Sequence, residues 1–307
     1  MSVFVQLPPK DYDAKAFDAF SALRGHFDVD DARAMMWMAQ LSYEFDAPET
    51  IKEIASVWKL KPIDPIRARG PLIDTRAIVG ERADCTIVAF AGTDPALASN
   101  LITDAKVRLT PLDTHEGFQN AFDAAWEQVK AQIERSARPL FFTGHSLGAA
   151  LAVLAAEKAH DAGMTPAAVY TFGMPRAGGA TFAARYNGKL GDRTFRLVHG
   201  GDIVPCIPEW FARLAPPARI RFQHVGQMLK CDAGAKFDRL AALGVATGND
   251  PAFRMGVREN WINRRNALLG GQLFAAAGPG PLGRLLMLLP FAIRDHLPDR
   301  YRNALAP

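Results

Sequence analysis

Apolar residues recur every three or four positions over Asp28–Phe45, where Ala32, Met35, Met36, Ala39 and Tyr43 share one face behind Asp28, Asp30 and Asp31. That spacing, with acids at its start, predicts a helix. Gly117–Arg135 has the same period through Phe118, Phe122, Trp126, Val129 and Ile133 and predicts a longer one. Leu72–Val79 and Cys85–Ala91 flank Gly80-Glu81-Arg82-Ala83 and read as a hairpin or as neighbouring strands. Beyond them the pattern alternates: strand Leu140–Thr143, helix Leu147–His160, strand Ala168–Phe172, helix Ala177–Tyr186, strand Thr194–Val198, and Arg219–Val225 as a further strand. Strands alternating with helices of this length imply an α/β fold, a mainly parallel sheet covered on both faces. Over residues 230–294 the pattern loosens and glycine and proline gather, as in Gly278-Pro279-Gly280-Pro281. This stretch reads as a helical insertion or cap within one domain spanning 1–307.

The 307 residues are 49% hydrophobic and 22% charged, a composition with ample material for a core. A net charge of +4 spread along the chain gives no case for nucleic acid, although attraction to an anionic surface fits it. Cys85, Cys206 and Cys231 have neither C-x-x-C spacing nor partners for zinc, so no metal site is expected. Cys85 sits in an apolar run and reads as a small buried hydrophobe. Three thiols without a framework, and a first segment lacking a basic region followed by a long apolar one, predict a cytoplasmic location.

The chemistry centres on Gly144-His145-Ser146-Leu147-Gly148, set between the strand Leu140–Thr143 and an alanine-rich helix. A strand turning abruptly into a helix holds the central serine in a strained, exposed position, and the glycines let neighbouring elements approach. The helix start also brings free N–H groups beside the serine. A serine hydroxyl needs a base within reach, and that base needs an acid to fix its tautomer. With serine, acid and histidine in that chain order, Asp202 in Val198-His199-Gly200-Gly201-Asp202 is the acid, at the C-terminal end of a strand. His199 precedes that acid and reads as a loop-orienting group. His224 and His296 remain as bases; His296, just after a helical run, is favoured over His224, which lies in an apparent strand. The oxyanion donors are the amide of Leu147 and that of Thr93, in the loop opened by Gly92.

Several segments in this order resemble the class 3 lipases, the fungal triacylglycerol lipase type within the α/β-hydrolases. They are Phe90-Ala91-Gly92-Thr93-Asp94, His115-Glu116-Gly117-Phe118, Thr143 through Ala152 around Ser146, Thr171-Phe172-Gly173-Met174-Pro175-Arg176, and Val198 through Pro205. The resemblance covers roughly Leu72 to Gly226. It implies an α/β-hydrolase fold, with Ser146 as nucleophile, Asp202 as acid, Thr93 and Leu147 as oxyanion residues, and His296 as base followed by Tyr301 in a closing helix. His224-Val225-Gly226 is similar to a non-catalytic segment of the family. The sequence departs from the family at Ala91, where arginine is common, and at Ala149, which replaces a glycine.

The expected activity is a serine carboxylester hydrolase (a lipase or esterase) cleaving acyl esters of glycerolipids through an acyl-enzyme, with no cofactor. A phospholipase acting on charged glycerolipids is the rival within hydrolases, and a non-catalytic lipid-binding protein is the rival outside them. The partners expected are a lipid or small ester substrate and peripheral contact with a lipid interface. Pro95–Ile102 falls where family members carry a lid. Arg254, Arg258, Arg264 and Arg265 accompany Met255, Trp261, Ile262 and Leu268 in a basic amphipathic pattern, and Leu285–Phe291 offers a wall for an acyl pocket.

Overall fold

A computed structural model describes residues 5–61, 65–70, 73–92, 108–207, 221–237 and 294–307. Thr93, the Pro95–Ile102 segment, the Arg254–Leu268 and Leu285–Phe291 patterns and nearly all of the expected cap at 230–294 lie outside the described residues.

A seven-stranded sheet runs in the order β1 (Ile66–Gly70), β2 (Ile73–Glu81), β3 (Thr86–Phe90), β4 (Leu140–His145), β5 (Pro166–Phe172), β7 (Thr194–His199), β9 (Gln227–Cys231). The first two pairings are antiparallel and the remaining four parallel. β2 and β3 form the expected hairpin, closed by the Arg82 N–H donating to the Cys85 carbonyl at 2.9 Å. Helices α3 (Glu116–Ile133), α4 (Leu147–Asp161) and α5 (Ala180–Leu190) make the crossovers between parallel strands. β6 (Gly178–Gly179) and β8 (Phe222–Gln223) form a separate two-residue ladder.

Strand alternation divides the core into two layers. Val88, Phe90, Leu140, Phe142 and Val169 face α3, α4 and α5. Ile87, Ala89, Phe141, Tyr170 and Phe172 face the other layer, made by α1 (Val29–Leu41), α2 (Pro48–Val57), α6 (Pro298–Leu305) and aromatic residues of the first 27 positions. α1 is shorter than the Asp28–Phe45 pattern predicts, because Asp28 is its cap, accepting from the Asp30 N–H, and Ser42–Glu44 tightens into a 3-10 turn. The predicted strand Arg219–Val225 is also corrected. Among its described residues only Phe222–Gln223 pairs, with Gly178–Gly179, and the chain turns at Gly226 (φ +72°) before the sheet strand β9 begins.

α4 is buried along nearly its whole length, and its alanines let it lie against the sheet. A Cβ on Gly144 would strike the Gly148 backbone, and one on Gly148 would strike the Phe90 carbonyl. The parallel strands therefore bring Ser146, Gly173 and Asp202 to one edge, and the turn just before α6 places His296 there. Among the described residues, no helix is long and apolar enough to cross a membrane.

Candidate active site

Ser146 caps α4 with φ +59° and ψ −130°, a left-handed backbone that non-glycine residues rarely adopt. Its N–H donates to the Phe172 carbonyl at 2.9 Å, which ties the turn to the end of β5. Leu147 opens the helix, so its amide has no carbonyl one turn behind it. Gly92, the last described residue before Thr93, lies against this turn: a Cβ there would come within 2.6 Å of the His145 carbonyl and 3.0 Å of the Ser146 Cβ.

Asp202 follows β7 and is fully buried. Its Oδ1 accepts from the Val204 N–H at 2.9 Å, and its Oδ2 accepts from His296 Nδ1 at 2.8 Å and from the Tyr301 hydroxyl at 2.6 Å. A carboxylate oxygen opposite Nδ1 places the ring proton there and leaves His296 Nε2 with a lone pair. Ser146 Oγ and His296 Nε2 are buried, and neither has a hydrogen-bond partner among the described residues. Between the acid–imidazole pair and β5 sits Gly173 (φ +60°). A Cβ on it would meet Asp202 Oδ2 at 2.7 Å and His296 Nδ1 at 2.8 Å.

His145, the neighbour of the serine, is fully buried and has two partners that fix its tautomer. Nε2 donates to the His296 carbonyl at 2.6 Å, so Nδ1 is the acceptor for the Tyr43 hydroxyl at 2.8 Å. Burial first, and then repulsion from His296 whenever that ring is protonated, hold His145 well below the usual imidazole range, so it stays neutral. Its ring stacks on that of His296, with centroids 4.6 Å apart. The Tyr301 hydroxyl also accepts from the backbone N–H of His199 at 3.2 Å, a bond that does not involve the imidazole. Burial, reinforced by Asp202, raises the Tyr301 phenol well above its ordinary value.

Ser146, Asp202, His296 and Leu147 thus converge at one sheet edge, whereas His224 points elsewhere, its Nε2 donating to the Pro205 carbonyl at 2.7 Å. Three contributors escape sequence reasoning. Tyr43, the stacking of His145 and the Tyr301–Asp202 bond depend on contacts across 99 to 151 residues, which no local spacing encodes.

Residues 87–212 match the model of the lipase (class 3) family. The chain is 33% identical over 177 residues to the secreted mono- and diacylglycerol lipase LIP4 of Malassezia restricta, an alignment covering 52% of this chain and 56% of that protein. It is 33% identical over 116 residues to the secreted mono- and diacylglycerol lipase LIP1 of Malassezia globosa, covering 35% of each. Among solved structures, the lipase of Rhizopus microsporus var. chinensis superposes with a TM-score of 0.56 at 22% identity, over 71% of this chain and 79% of that one. The fold is that of the α/β-hydrolases. The chain spans little more than half of LIP4's length.

The expected cytoplasmic location is overturned, because LIP4 and LIP1 are both named as secreted proteins. Of the three thiols behind that expectation, Cys206 is half-buried, whereas Cys85 and Cys231 are buried, and burial pushes both up to about 12. Inert thiols of this kind are compatible with an oxidising compartment.

Proposed function

We propose that this chain, whose residues 87–212 match the lipase (class 3) family model, is a serine carboxylester hydrolase that cleaves acyl esters of glycerolipids through an acyl-enzyme. The observation that carries this reading is the sharing of Asp202 Oδ2 by His296 and Tyr301 beside a strained, buried Ser146.

In this reading Ser146 Oγ attacks the ester carbonyl carbon while its proton passes to His296 Nε2. The Oγ–C bond forms and the carbonyl electrons move onto oxygen, where the Leu147 amide at the head of α4 donates to them. Thr93 is assigned the second donor. His296 then returns the proton to the leaving alcohol oxygen as the C–O bond breaks. Water, deprotonated by the same imidazole, releases the fatty acid and regenerates the serine. Asp202 accepts from Nδ1 throughout, so the imidazolium formed in each half-reaction has a counter-charge 2.8 Å away. His145, held neutral, adds no competing positive charge to the ring stacked on it.

A lipid or small ester as substrate, with peripheral contact at a lipid interface, is supported by the naming of LIP4 and LIP1 as mono- and diacylglycerol lipases. The experiment is labelling with a fluorophosphonate followed by comparison of neutral glycerides with anionic phospholipids. Covalent label on Ser146 with preferred release from glycerides is expected. An unlabelled Ser146 would return the chain to a non-catalytic lipid binder, and preferred release from phospholipids would favour the phospholipase. Ser146→Ala is expected to lower kcat by on the order of a millionfold with the fold intact.

A further inference from the structure

The imidazole next to the nucleophile takes no part in the proton transfers between serine, base and ester, yet it holds the base in two ways. His145 ends β4, in register with Phe172 of β5, so the sheet fixes its backbone together with that of Ser146. Its Nε2 donates to the main-chain carbonyl of His296 at 2.6 Å. Its ring lies on the His296 ring, with centroids 4.6 Å apart and 30° between the planes. The bond restrains the backbone of the base, and the stacked face restrains its ring.

A carbonyl can only accept, so the bond to His296 requires a proton on Nε2 of His145. In the neutral ring Nδ1 is then an acceptor, and the Tyr43 hydroxyl donates to it at 2.8 Å. Tyr43 is buried in the 3-10 turn that follows α1, a helix packed on β4. The carbonyl bond selects the tautomer, and the hydroxyl fixes which way the ring faces. Turning the ring over would put carbon atoms where both partners need nitrogens. The same hydroxyl lies against the loop opened by Gly92, where an added Cβ would come within 2.5 Å of it.

Proton transfer from Ser146 Oγ to His296 Nε2 depends steeply on their separation, and a misplacement of about 1 Å costs on the order of a hundredfold in rate. His296 is 151 positions from His145 in the chain, so local covalent geometry does not set its distance from the serine. His145 is one peptide bond from Ser146 and in contact with His296. We propose that His145 is a positioning residue for the ester hydrolysis, carrying the sheet-fixed location of Ser146 to His296, and that the Tyr43 hydroxyl acts through it by locking the ring. This rests on Ser146 and His296 being the nucleophile and the base.

Three substitutions separate hydrogen bonding from packing. His145→Phe keeps a ring to stack on His296 but carries no nitrogen. His145→Gln gives up the ring and keeps an N–H near the place of Nε2. Tyr43→Phe removes one hydroxyl. With a soluble nitrophenyl ester, His145→Phe is expected to lower kcat by on the order of a hundredfold with KM changed less than about twofold. His145→Gln is expected to recover about tenfold of that loss, and Tyr43→Phe alone to lower kcat by about 3- to 10-fold. Added to His145→Phe, Tyr43→Phe should cost nothing further, because its route to the base is gone. Nitrogen-15 spectra of histidine-labelled wild type, with the His145 signals identified by their loss in His145→Gln, should show its proton on Nε2 and an acceptor at Nδ1. A His145→Phe variant at least as active as His145→Gln would assign His145 to packing. A Tyr43→Phe loss undiminished in the His145→Phe background, or a proton on Nδ1, would equally overturn the proposal. Fluorophosphonate labelling keeps the two levels apart: an unlabelled wild type withdraws the nucleophile itself, whereas wild-type labelling rates in His145→Phe withdraw the positioning role alone. Should His145→Phe fail to fold, Tyr43→Phe and the tautomer decide.

Discussion

Tyr301 and His296 meet on a single oxygen: the phenol and the imidazole Nδ1 both donate to Asp202 Oδ2, at 2.6 and 2.8 Å. The five-residue separation makes this reachable. Pro298 at the first position of α6 starts a new helix directly after the histidine, and the first turn of that helix returns Tyr301 toward the acid. α6 in turn is held by α1, with the Arg302 guanidinium 4.9 Å from the Trp37 ring centroid. The final helix therefore acts as a clamp on the acid–base pair.

Tyr301→Phe removes one donor from a buried carboxylate while keeping the ring in its cavity. A hydrogen bond to a charged group contributes about 1.5–3 kcal/mol, so kcat/KM is expected to fall between about 10- and 100-fold, with near-native secondary structure. The phenol, raised by burial and Asp202, stays protonated through the usual assay range, so the loss should be independent of pH. Steady-state kinetics from pH 6 to 9 check this; a variant with wild-type kcat/KM would assign Tyr301 to packing alone.

Gly173 offers a steric test of the same pair. Gly173→Ala forces a left-handed residue to carry a Cβ within 2.7–2.8 Å of Asp202 and His296, so it must separate them or shift β5. Activity is expected to drop more than about a hundredfold. Gly188→Ala is the control, because it lies in α5 with nothing within 4 Å of an added Cβ. It should raise stability by about 0.5–1 kcal/mol and leave turnover unchanged. Equal activity in the two variants would deny the close fit at Gly173.

The sheet edge and its serine are legible in the sequence because local rules fix them. An apolar strand, two glycines without room for a Cβ and an alanine-rich helix specify Ser146 within a dozen residues, and chain order then leads to Asp202 and leaves His224 and His296, of which loop position favours His296. Tyr12, Phe17, Phe20 and Phe27 follow no helical or strand period, yet they pack into the layer that also buries Trp37 and Trp58. Their burial is decided by what α1 and α2 leave uncovered, which only tertiary structure reveals. β9 was hidden for a related reason: Gln227–Cys231 mixes polar and apolar residues, and its strand character comes from pairing with β7. The thiols mislead in the other direction, since a count of cysteines carries no information about their burial.

His115 gives the acid response a definite sign. It caps α3, its Nδ1 accepting from the Phe118 N–H at 3.4 Å, and burial pushes it down to about 4. Protonating Nδ1 would set a donor against a donor at the head of the helix. Between pH 4 and the ordinary value of about 6.5, the unfolded chain therefore binds a proton that the folded chain does not. This group's contribution is fully present above about pH 6.5 and is lost as the pH falls toward 4, a change of at most about 3 kcal/mol. His115→Asn keeps an oxygen able to accept from the first turn but cannot titrate. Urea unfolding of the two proteins at pH 7 and at pH 4.5 is expected to show the wild type losing about 2 kcal/mol more than the variant over that interval. Parallel losses would show that the buried imidazole is not the proton-linked group, and that acid sensitivity arises at other sites.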